Sequence, residues 1–451
     1  MAECIAQEDL PFHPKLPIVI RFDAPDISSD GGALLLREVD DQLGLTADMA
    51  ACLPDERDPT RVLHSRPEQL RQRIFQIALG YEDCNDADRL RLDPVLKTVC
   101  DRTPEDPIGL SSQPTLSRLE NAPNGWALGR LFRTLERSYV ASLRPETQEV
   151  ILDIDATDDE THGQQQLSFY NAYYDHHMYH PLLVYDGEGQ LITALLRPGR
   201  NHASRGAKGL LRRLIRKIRK RCPQAFIAVR GDSGFCVPRI LNELERLDQE
   251  LGNIDYLLGI AQNAVLLRRV APEMELAKEE HEKKVEKIVR YTSFSYAAKS
   301  WPHRRHVVAK AEYSFRGRNP RFVVTSLSEF PPDVLYQAYC RRGQCENRIK
   351  DLKNALNSDR LSCSSFKANF FRLLLHAAAY RLMFALRQAL APFSKTLHKA
   401  QFDTLRLRLL KVAAEVKESS RRILVRLPKA FPFAEVFCQL ARQLAAPTHP
   451  T

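Results

Sequence analysis

The chain has 451 residues, of which 44% are hydrophobic and 27% are charged. These fractions lie near the averages of globular proteins, which excludes the disordered, collagen-like and coiled-coil classes. At roughly 150 residues per domain, the length predicts about three folded units. Lysine and arginine number 66 against 56 acidic residues, a formal charge of +10. Such an excess favours a polyanionic partner such as nucleic acid.

The sequence shows no signal for a membrane or for export. No stretch approaches the ~20 consecutive apolar residues that a bilayer span requires, and the start lacks a basic region followed by an apolar one. We therefore expect a cytoplasmic protein with no membrane partner. The ten cysteines include no Cys-x2-Cys pair, so a zinc finger is not predicted.

The first third of the chain has the hydrophobic period of helices. Residues 26–139 carry apolar residues at three- and four-residue spacing, and Ser28 and Ser65 are the predicted N-caps of two helices. We predict a helical N-terminal domain over residues 1–145. Its interleaved basic and apolar residues suit a DNA-docking helix, but the same pattern describes solvated amphipathic helices.

From about Glu149 the period changes to the alternation of strands. A buried strand at 149–157 is followed by two strands around a glycine-rich turn at 186–189, and then by alternating helices and strands. This order predicts an α/β protein with a mixed sheet and matches the ribonuclease-H-like fold. The predicted divisions after the N-terminal domain are the first part of this catalytic core at 146–263, a β-rich insertion at 264–332, a helix that completes the core at 333–360, and a helical C-terminal region at 361–451.

Two predicted strands end in carboxylates. Asp153 and Asp155 close the first strand, and Asp232 follows the strand AFIAVRG. Strand alternation turns Asp153 and Asp155 to the same side, and Asp155, at the strand end, is better placed to reach a metal. A carboxylate after so apolar a strand must be hydrated, paired or metal-bound, because a buried unpaired charge is too costly. For Asp232 the alternative is an ordinary loop aspartate that caps the next turn.

A third element combines residue types suited to a nucleic-acid backbone. At 100° per residue, Tyr339, Arg342, Glu346 and Lys353 share a helical stripe about 60° wide. Tyrosine, arginine and lysine around one glutamate offer stacking, bidentate phosphate recognition and a point charge. The alternative is an amphipathic helix whose charges are merely solvated.

These elements together predict a metal site. The carboxylates of Asp155, Asp232 and Glu346 would hold two Mg²⁺ ions, with Mn²⁺ as a substitute, and the residual positive charge would favour phosphoryl transfer. A strongly basic helix near residues 204–221 is predicted to bury its leucines and isoleucines and to contact phosphates with its cations, although simple solvation of its charges is the alternative. Its predicted DNA-binding residues are Arg212, Arg213, Arg216, Lys217 and Lys220. The histidines at 176, 177 and 180 have poor spacing for a tetrahedral metal site and are predicted to be structural.

The strand ends DIDAT and RGDSGF and the Tyr-x2-Arg-x3-Glu-x6-Lys signature resemble the DDE transposases of bacterial insertion sequences. The segments SSDGGALLLREVDDQLGL, LRQRIFQIALGYEDCNDADRLRLDP and YHPLLVYDGEGQLITALLRPGRNH are similar to the insertion-sequence 1380 family. The likeness extends from about residue 27 to residue 444, and the four-residue signature is its most specific part.

The resemblance implies a transposase with a ribonuclease-H-like core, in which Asp155, Asp232 and Glu346 are the Mg²⁺ ligands. Tyr339, Arg342 and Lys353 carry over as contacts to the transposon end. The resemblance also implies double-stranded DNA partners, namely target DNA and terminal inverted repeats, and DNA-end binding by the N-terminal domain at 1–145. It further implies a homodimer on paired ends in the bacterial nucleoid. Strand cleavage would precede strand transfer, with a hairpin on the second strand. Two alternatives stay open: a sequence-specific DNA-binding protein without catalysis, and a structure-specific ribonuclease-H-like nuclease.

Overall fold

The computed structural model describes residues 8–10, 14–16, 18–21 and 23–446, and the chain forms two compact units. The first unit comprises Met1–Ala50, Asp55–Leu119 and Leu382–Thr451, and the second comprises Ala51–Pro54 and Glu120–Arg381. The parts of the predicted N-terminal and C-terminal regions that lie outside the described ranges are residues 1–7, 11–13, 17, 22 and 447–451.

The helices, in chain order, are α1 (Ala33–Leu43), α2 (Leu45–Ala50), α3 (Arg66–Leu79), α4 (Ala87–Leu90), α5 (Pro94–Val99), α6 (Gln113–Asn121), α7 (Gly125–Ser142), α8 (Ala207–Arg221), α9 (Pro238–Leu251), α10 (Ala264–Lys284), α11 (Pro332–Cys340), α12 (Gln344–Lys350), α13 (Phe366–Ala389), α14 (Lys395–His398), α15 (Phe402–Leu405) and α16 (Ala434–Ala445). The strands are β1 (Glu8–Leu10), β2 (Ile18–Ile20), β3 (Ile27–Ser28), β4 (Glu149–Ala156), β5 (Asp159–Glu160), β6 (Phe169–Asn171), β7 (His176–Tyr179), β8 (Leu182–Asp186), β9 (Leu191–Leu195), β10 (Phe226–Gly231), β11 (Ile254–Ile260), β12 (Ile288–Tyr296), β13 (Arg305–Ser314), β14 (Gly317–Arg318), β15 (Arg321–Thr325), β16 (Ala414–Ser419) and β17 (Arg422–Arg426).

The first unit is mainly helical. The predicted N-cap at Ser65 is confirmed, because its side chain accepts a hydrogen bond from the N–H of Glu68 at the start of α3. The predicted N-cap at Ser28 is wrong: Ser28 lies in β3, and α1 begins only after Gly32. Strand β3 pairs with β16, which pairs with β17, so the C-terminal region that was predicted as helical also contributes two strands.

The second unit is built on one mixed sheet, which confirms the predicted α/β class. The strands follow the order β12-β13-β15-β11-β10-β4-β8-β9, and β14 pairs with β13. Strands β4, β10 and β11 are parallel, and the strands beyond them on both sides are antiparallel. The meander β4-β8-β9 was predicted, whereas the small sheet β5-β7-β6 within it was not.

The segment at 264–332 begins with a helix that the sequence analysis did not predict. Asn263 caps α10 by accepting hydrogen bonds from the N–H groups of Val265 and Leu266. The strands that follow continue the central sheet beyond β11 rather than forming a sheet of their own. Leu335 and Tyr336 of α11 pack into a buried cluster with residues of β11, β13 and β15, so these strands support the helix that ends in Tyr339 and Cys340.

The basic helix α8 buries the apolar side that its sequence predicts. Its buried residues are Ala207, Leu210, Leu211, Leu214, Ile215 and Ile218. Helices α7 and α9 pack on either side of it within the second unit. Across the described part of the chain, no helix combines the length and the apolar character needed to traverse a bilayer.

Candidate active site

The carboxyl ends of β4 and β10 lie side by side and carry Asp155 and Asp232. The two strands are parallel, with Ile154 opposite Gly231, so Asp155 and Asp232 follow in register at one edge of the sheet. The Oδ1 atom of Asp232 accepts the N–H of Gly234 at 2.9 Å, which orients this carboxylate within its turn. The structure therefore brings the two predicted aspartates together.

Asp155 is 6% exposed and is held against a cation. Its Oδ2 atom accepts a hydrogen bond from Nη2 of Arg342 at 2.8 Å, and its Oδ1 atom accepts the N–H of Ala156. Burial raises the pKa of Asp155 to about 6; the charge of Asp232 adds to that rise, and Arg342 opposes it. A buried carboxylate requires a cation, and Arg342 is that cation in the free protein.

Tyr339 reaches the same place from the end of α11. A Cβ atom on Gly259 of β11 would lie 2.6 Å from the Tyr339 hydroxyl and 3.2 Å from the N atom of Ser233. Glycine at this position therefore allows the phenol to lie over the sheet beside the turn that holds Asp232. Burial raises the pKa of Tyr339, and the charges of Asp232 and Asp155 act in the same direction.

The helical segment that carries Glu346 differs from the uninterrupted helix predicted over residues 333–360. A 3₁₀ turn at Arg341–Gly343 separates α11 from α12, and a π-helical stretch at Asp351–Ala355 follows α12. Gly343 lies in this break, and glycine weakens an α-helix relative to other residues. The four signature residues therefore do not share one straight stripe.

Glu346 lies in the first turn of α12 and is exposed. In the portion of the chain that the structure describes, no three histidine, cysteine or acidic side chains are grouped so that they could hold a metal ion. The structure thus groups Asp155 with Asp232, Tyr339 and Arg342, and it does not add Glu346 to that group.

Lys353 is held by the acidic loop that follows β4. Its Nζ atom donates to the carbonyl oxygen of Asp158 and lies 3.4 Å from Oγ1 of Thr157 and from Oδ1 of Asp158. The carboxylates of Asp159 and Asp359 lie 4.0 and 3.9 Å away. Lys353 therefore ties the π-helical stretch to the end of β4 and is already paired with acids in the free protein.

Asp153, two residues before Asp155, is fully buried between two arginines. Arg230 of β10 pairs with both of its carboxylate oxygens, at 2.7 and 2.8 Å, and Arg348 of α12 approaches to 3.2 Å. Arg230 also donates to the carbonyl oxygen of Ala338 in α11 at 2.8 Å. These arginines join α11 and α12 to β4 and β10 next to the carboxylate pair. We call Asp153, Arg230 and Arg348 the arginine clamp.

Asp153 is a candidate from the sequence, but neither of its two arginine partners is predicted. The available signal was Arg230 itself, since an arginine inside the apolar strand AFIAVRG must have a buried anion or several acceptors. Nothing in the local sequence around Arg348 indicates that it is 6% exposed, because an arginine on a helix rich in charged residues is ordinarily solvated.

Arg348 also joins the clamp to the turn between β8 and β9. It donates to the carbonyl oxygens of Asp186 at 2.7 Å and of Gly187 at 2.6 Å. The side chain of Asp186 accepts three backbone N–H groups of the turn, at 2.8 to 3.0 Å. Burial nevertheless raises the pKa of Asp186 to about 6, and the backbone hydrogen bonds oppose that rise.

We expect Asp186→Asn to make stability less dependent on pH. The pKa of Asp186 in the folded protein lies above its ordinary value, so the protonated carboxyl group stabilises the fold. This contribution to stability is lost as the pH rises through about 6. Asparagine keeps the hydrogen-bond acceptor and carries no charge. Between pH 4 and pH 7 the wild type should lose about 2 kcal/mol relative to the variant, allowing for partial exposure. Urea unfolding of both proteins at each pH measures their free energies of unfolding. A difference between the two proteins that is the same at pH 4 and pH 7 would contradict this prediction.

Four of the five predicted phosphate-binding cations on α8 are already paired with carboxylates on neighbouring helices. The pairs are Arg212 with Glu243, Arg213 and Lys217 with Glu136, and Arg216 with Glu250. The acids lie on α7 and α9, far away in sequence, so the local pattern could not reveal them. Lys220, the fifth cation, lines a cavity between α7 and α8 together with Lys217.

The three histidines have separate surroundings. Nε2 of His176 lies 3.1 Å from Oδ2 of Asp158, and Nδ1 of the buried His180 lies 2.7 Å from the carbonyl oxygen of Asn201. The ring of His177 packs edge-on against Tyr170. Each ring thus contacts local partners in or next to the small sheet.

Comparison with known proteins identifies the family. The family model described as "Transposase DDE domain group 1" matches residues 11–448. The chain belongs to this DDE transposase family. This confirms the predicted family at the level of the DDE domain. Among solved structures, the chain is similar to a piggyBac transposase in a cryo-EM synaptic complex with hairpin DNA, with 11% identity, a TM-score of 0.42, and coverage of 94% of this chain and 83% of that chain. A search of curated proteins finds no match.

Proposed function

We propose that this DDE-family protein is the transposase of a bacterial insertion sequence of the 1380 family, which cleaves DNA at terminal inverted repeats and transfers the freed strand to target DNA. The observation that carries the proposal is that Asp155 and Asp232 lie next to each other at the ends of two parallel strands, with Tyr339 and Arg342 beside them. The family match supports the same reaction class.

The donor set suits a divalent metal. The two carboxylates offer the oxygen ligands that Mg²⁺ prefers, and the buried Asp155 is already balanced by a cation, the Arg342 guanidinium. We propose that Asp155, Asp232 and Glu346 hold two Mg²⁺ ions, or Mn²⁺ in their place. Bound metal would supply the positive charge that activates water and stabilises a phosphoryl-transfer transition state.

The remaining signature residues are proposed to hold the DNA. Arg342 would donate two parallel hydrogen bonds to a phosphate once it has left Asp155, and Tyr339 would pack against a sugar or base. Lys353 would contact a phosphate near the acidic loop, where it now pairs with Asp158. On α8, Lys220 is the strongest candidate for a phosphate contact, because the other four proposed cations share carboxylates in the free protein.

The larger organisation is proposed to follow the same family pattern. We propose a ribonuclease-H-like core, supported by the strand order β9-β8-β4-β10-β11 with β4, β10 and β11 parallel. Residues 1–145 would recognise the inverted repeat, and two copies would act on paired ends in the cytoplasm. Cleavage of the second strand would proceed through a hairpin.

The test is cleavage of a duplex that carries the inverted repeat read from the DNA flanking the gene. We expect strand nicking at the repeat end with Mg²⁺ or Mn²⁺, no nicking with EDTA, and later joining of the freed 3′ end to a second duplex. DNA binding without cleavage in either metal would favour the non-catalytic DNA-binding protein. Equal cutting of branched or hybrid substrates, without a joined product, would favour the structure-specific nuclease.

A further inference from the structure

A cavity of about 350 Å³ lies beside the turn that carries Asp232. Its lining residues are Ser204, Arg205, Gly206, Lys208, Gly209, Arg212 and Arg239. They come from the loop before α8, from the first turns of α8 and from the first turn of α9. The loop contacts the turn directly, because a Cβ atom on Gly234 would lie 2.9 Å from Cβ of Ala203. We call this cavity the α8–α9 pocket.

The pocket is strongly positive. Four of its lining residues are cations, and Glu243 is the carboxylate that pairs with two of them, Lys208 at 3.5 Å and Arg212 at 2.6 Å. The other two, Arg205 and Arg239, form no ion pair with any acidic residue that the structure describes. About three positive charges therefore remain around one cavity, and such a field attracts an anion.

The pocket is built rather than incidental. Arg197, 3% exposed, donates to the carbonyl oxygens of His180, Ala203 and Arg205, and so fixes the loop that forms one wall. Buried Ser204 accepts a hydrogen bond from Arg239, which joins this wall to α9. The guanidinium of Arg239 and the backbone at Arg205 are thus held in place before any ligand binds, which lowers the entropic cost of binding.

A glycine opens the pocket floor. Gly209 lies inside α8, and a Cβ atom added there would meet nothing within 4 Å. Packing therefore does not require glycine at this position, although glycine destabilises a helix relative to alanine. The missing side chain leaves room for a bulky anion to approach the helix backbone.

We propose that the α8–α9 pocket binds a backbone phosphate of the DNA strand that enters the site at Asp232, with Arg205 and Arg239 as its main ligands. This inference rests on the proposed function and adds residues outside the Tyr-Arg-Glu-Lys signature. Guanidinium groups match the oxygens of a phosphodiester, and the cavity is larger than one phosphate, so it accommodates the adjoining sugars. The position beside Asp232 assigns the pocket to DNA next to the cleaved bond.

The test compares two pocket variants with a matched control, using the inverted-repeat duplex as the probe. The first variant combines Arg205→Ala and Arg239→Ala, and the second is Gly209→Glu, which adds a carboxylate without a clash. The control combines Arg268→Ala and Arg269→Ala, which remove two exposed arginines of α10. For the first variant we expect about tenfold weaker binding at ~0.1 M salt and a salt-dependence slope reduced by about 1 to 2.

Further outcomes distinguish this inference from the proposed function. Gly209→Glu should weaken binding at least as much while its melting temperature stays equal or rises, and the control should keep the wild-type slope. Single methylphosphonates in the duplex should identify one phosphate whose neutralisation weakens the wild type but not the double variant. If the wild type binds and cleaves DNA but the first variant keeps the wild-type salt-dependence slope, the pocket assignment is wrong and the proposed function is unaffected. If the wild type neither binds nor cleaves the duplex, the proposed function is wrong and the pocket assignment, which rests on it, is overturned with it.

Discussion

Replacing Asp155 or Asp232 by asparagine is expected to reduce Mg²⁺-dependent strand cleavage by about 10³-fold or more. Each substitution removes a negatively charged ligand, and metal stabilisation of a phosphoryl-transfer transition state amounts to several kcal/mol. Asparagine keeps the shape of the side chain, so the strand ends should remain in place. The measurement is the single-turnover nicking rate on the inverted-repeat duplex, together with Mn²⁺ binding by calorimetry, which should weaken in both variants.

Glu346→Gln belongs in the same series, because it tests a residue that the structure leaves exposed and outside the aspartate pair. If Glu346 is the third metal ligand, the nicking rate of Glu346→Gln should fall as far as the rates of the aspartate variants. Its DNA affinity should stay within about threefold of the wild-type value. Glu188→Gln, at an exposed glutamate in the turn between β8 and β9, is the matched control and should cleave at the wild-type rate. Unchanged nicking by Asp232→Asn would refute the proposed chemistry.

Removing the acidic member of the arginine clamp is expected to cost about 3–5 kcal/mol of unfolding free energy, the range measured when one partner of a buried ion pair is lost. Asp153→Ala would leave Arg230 and Arg348, which are 5% and 6% exposed, without their shared carboxylate. Chemical unfolding measures the effect. Cleavage should fall as well, because the clamp positions the segment that carries Tyr339 and Arg342.

A compensated variant separates the loss of charge balance from the loss of packing. Asp153→Leu combined with Arg230→Met and Arg348→Met replaces the buried charges with apolar side chains, and such replacements are often neutral for stability. We expect this triple variant to regain part of the lost stability, because the carbonyl groups of Ala338, Asp186 and Gly187 also lose their arginine donors. A change below about 1 kcal/mol for Asp153→Ala alone would show that the clamp is not a stabilising element.

The strands and amphipathic helices of the second unit could be predicted because their signals are local. The alternation that predicts β4, β8 and β9 and the buried stripe of α8 are periodic in the sequence, and both were confirmed. The charged stretch before β12 was misjudged, although glutamate, lysine and alanine are strong helix formers and Asn263 is a good cap. Ser28 failed as an N-cap because pairing with β16 holds it in a strand.

The contents of the candidate site were only partly predictable. Strand ends placed Asp155 beside Asp232, because parallel strands bring their carboxyl ends to one edge. Long-range ion pairs could not be predicted from the local sequence. Glu136 and Glu243 neutralise cations of α8, and the paired residues are 31 to 81 positions apart in the sequence. The break at Gly343 was also not predicted, because the shared stripe was obtained by assuming the same α-helical rotation at every residue.

The ion pair between Arg342 and Asp155 has a consequence for the order of events. The single positive charge of Arg342 cannot neutralise both Asp155 and a DNA phosphate, so a metal ion or a phosphate would compete with the resting pair. If Asp155 holds metal as proposed, a bound ion would free Arg342, and a phosphate that draws Arg342 away would leave Asp155 able to bind metal. Metal and DNA should therefore bind with positive heterotropic cooperativity, and by linkage each should raise the affinity for the other by the same factor. In the absence of DNA, the protein with this contact closed would therefore bind metal weakly.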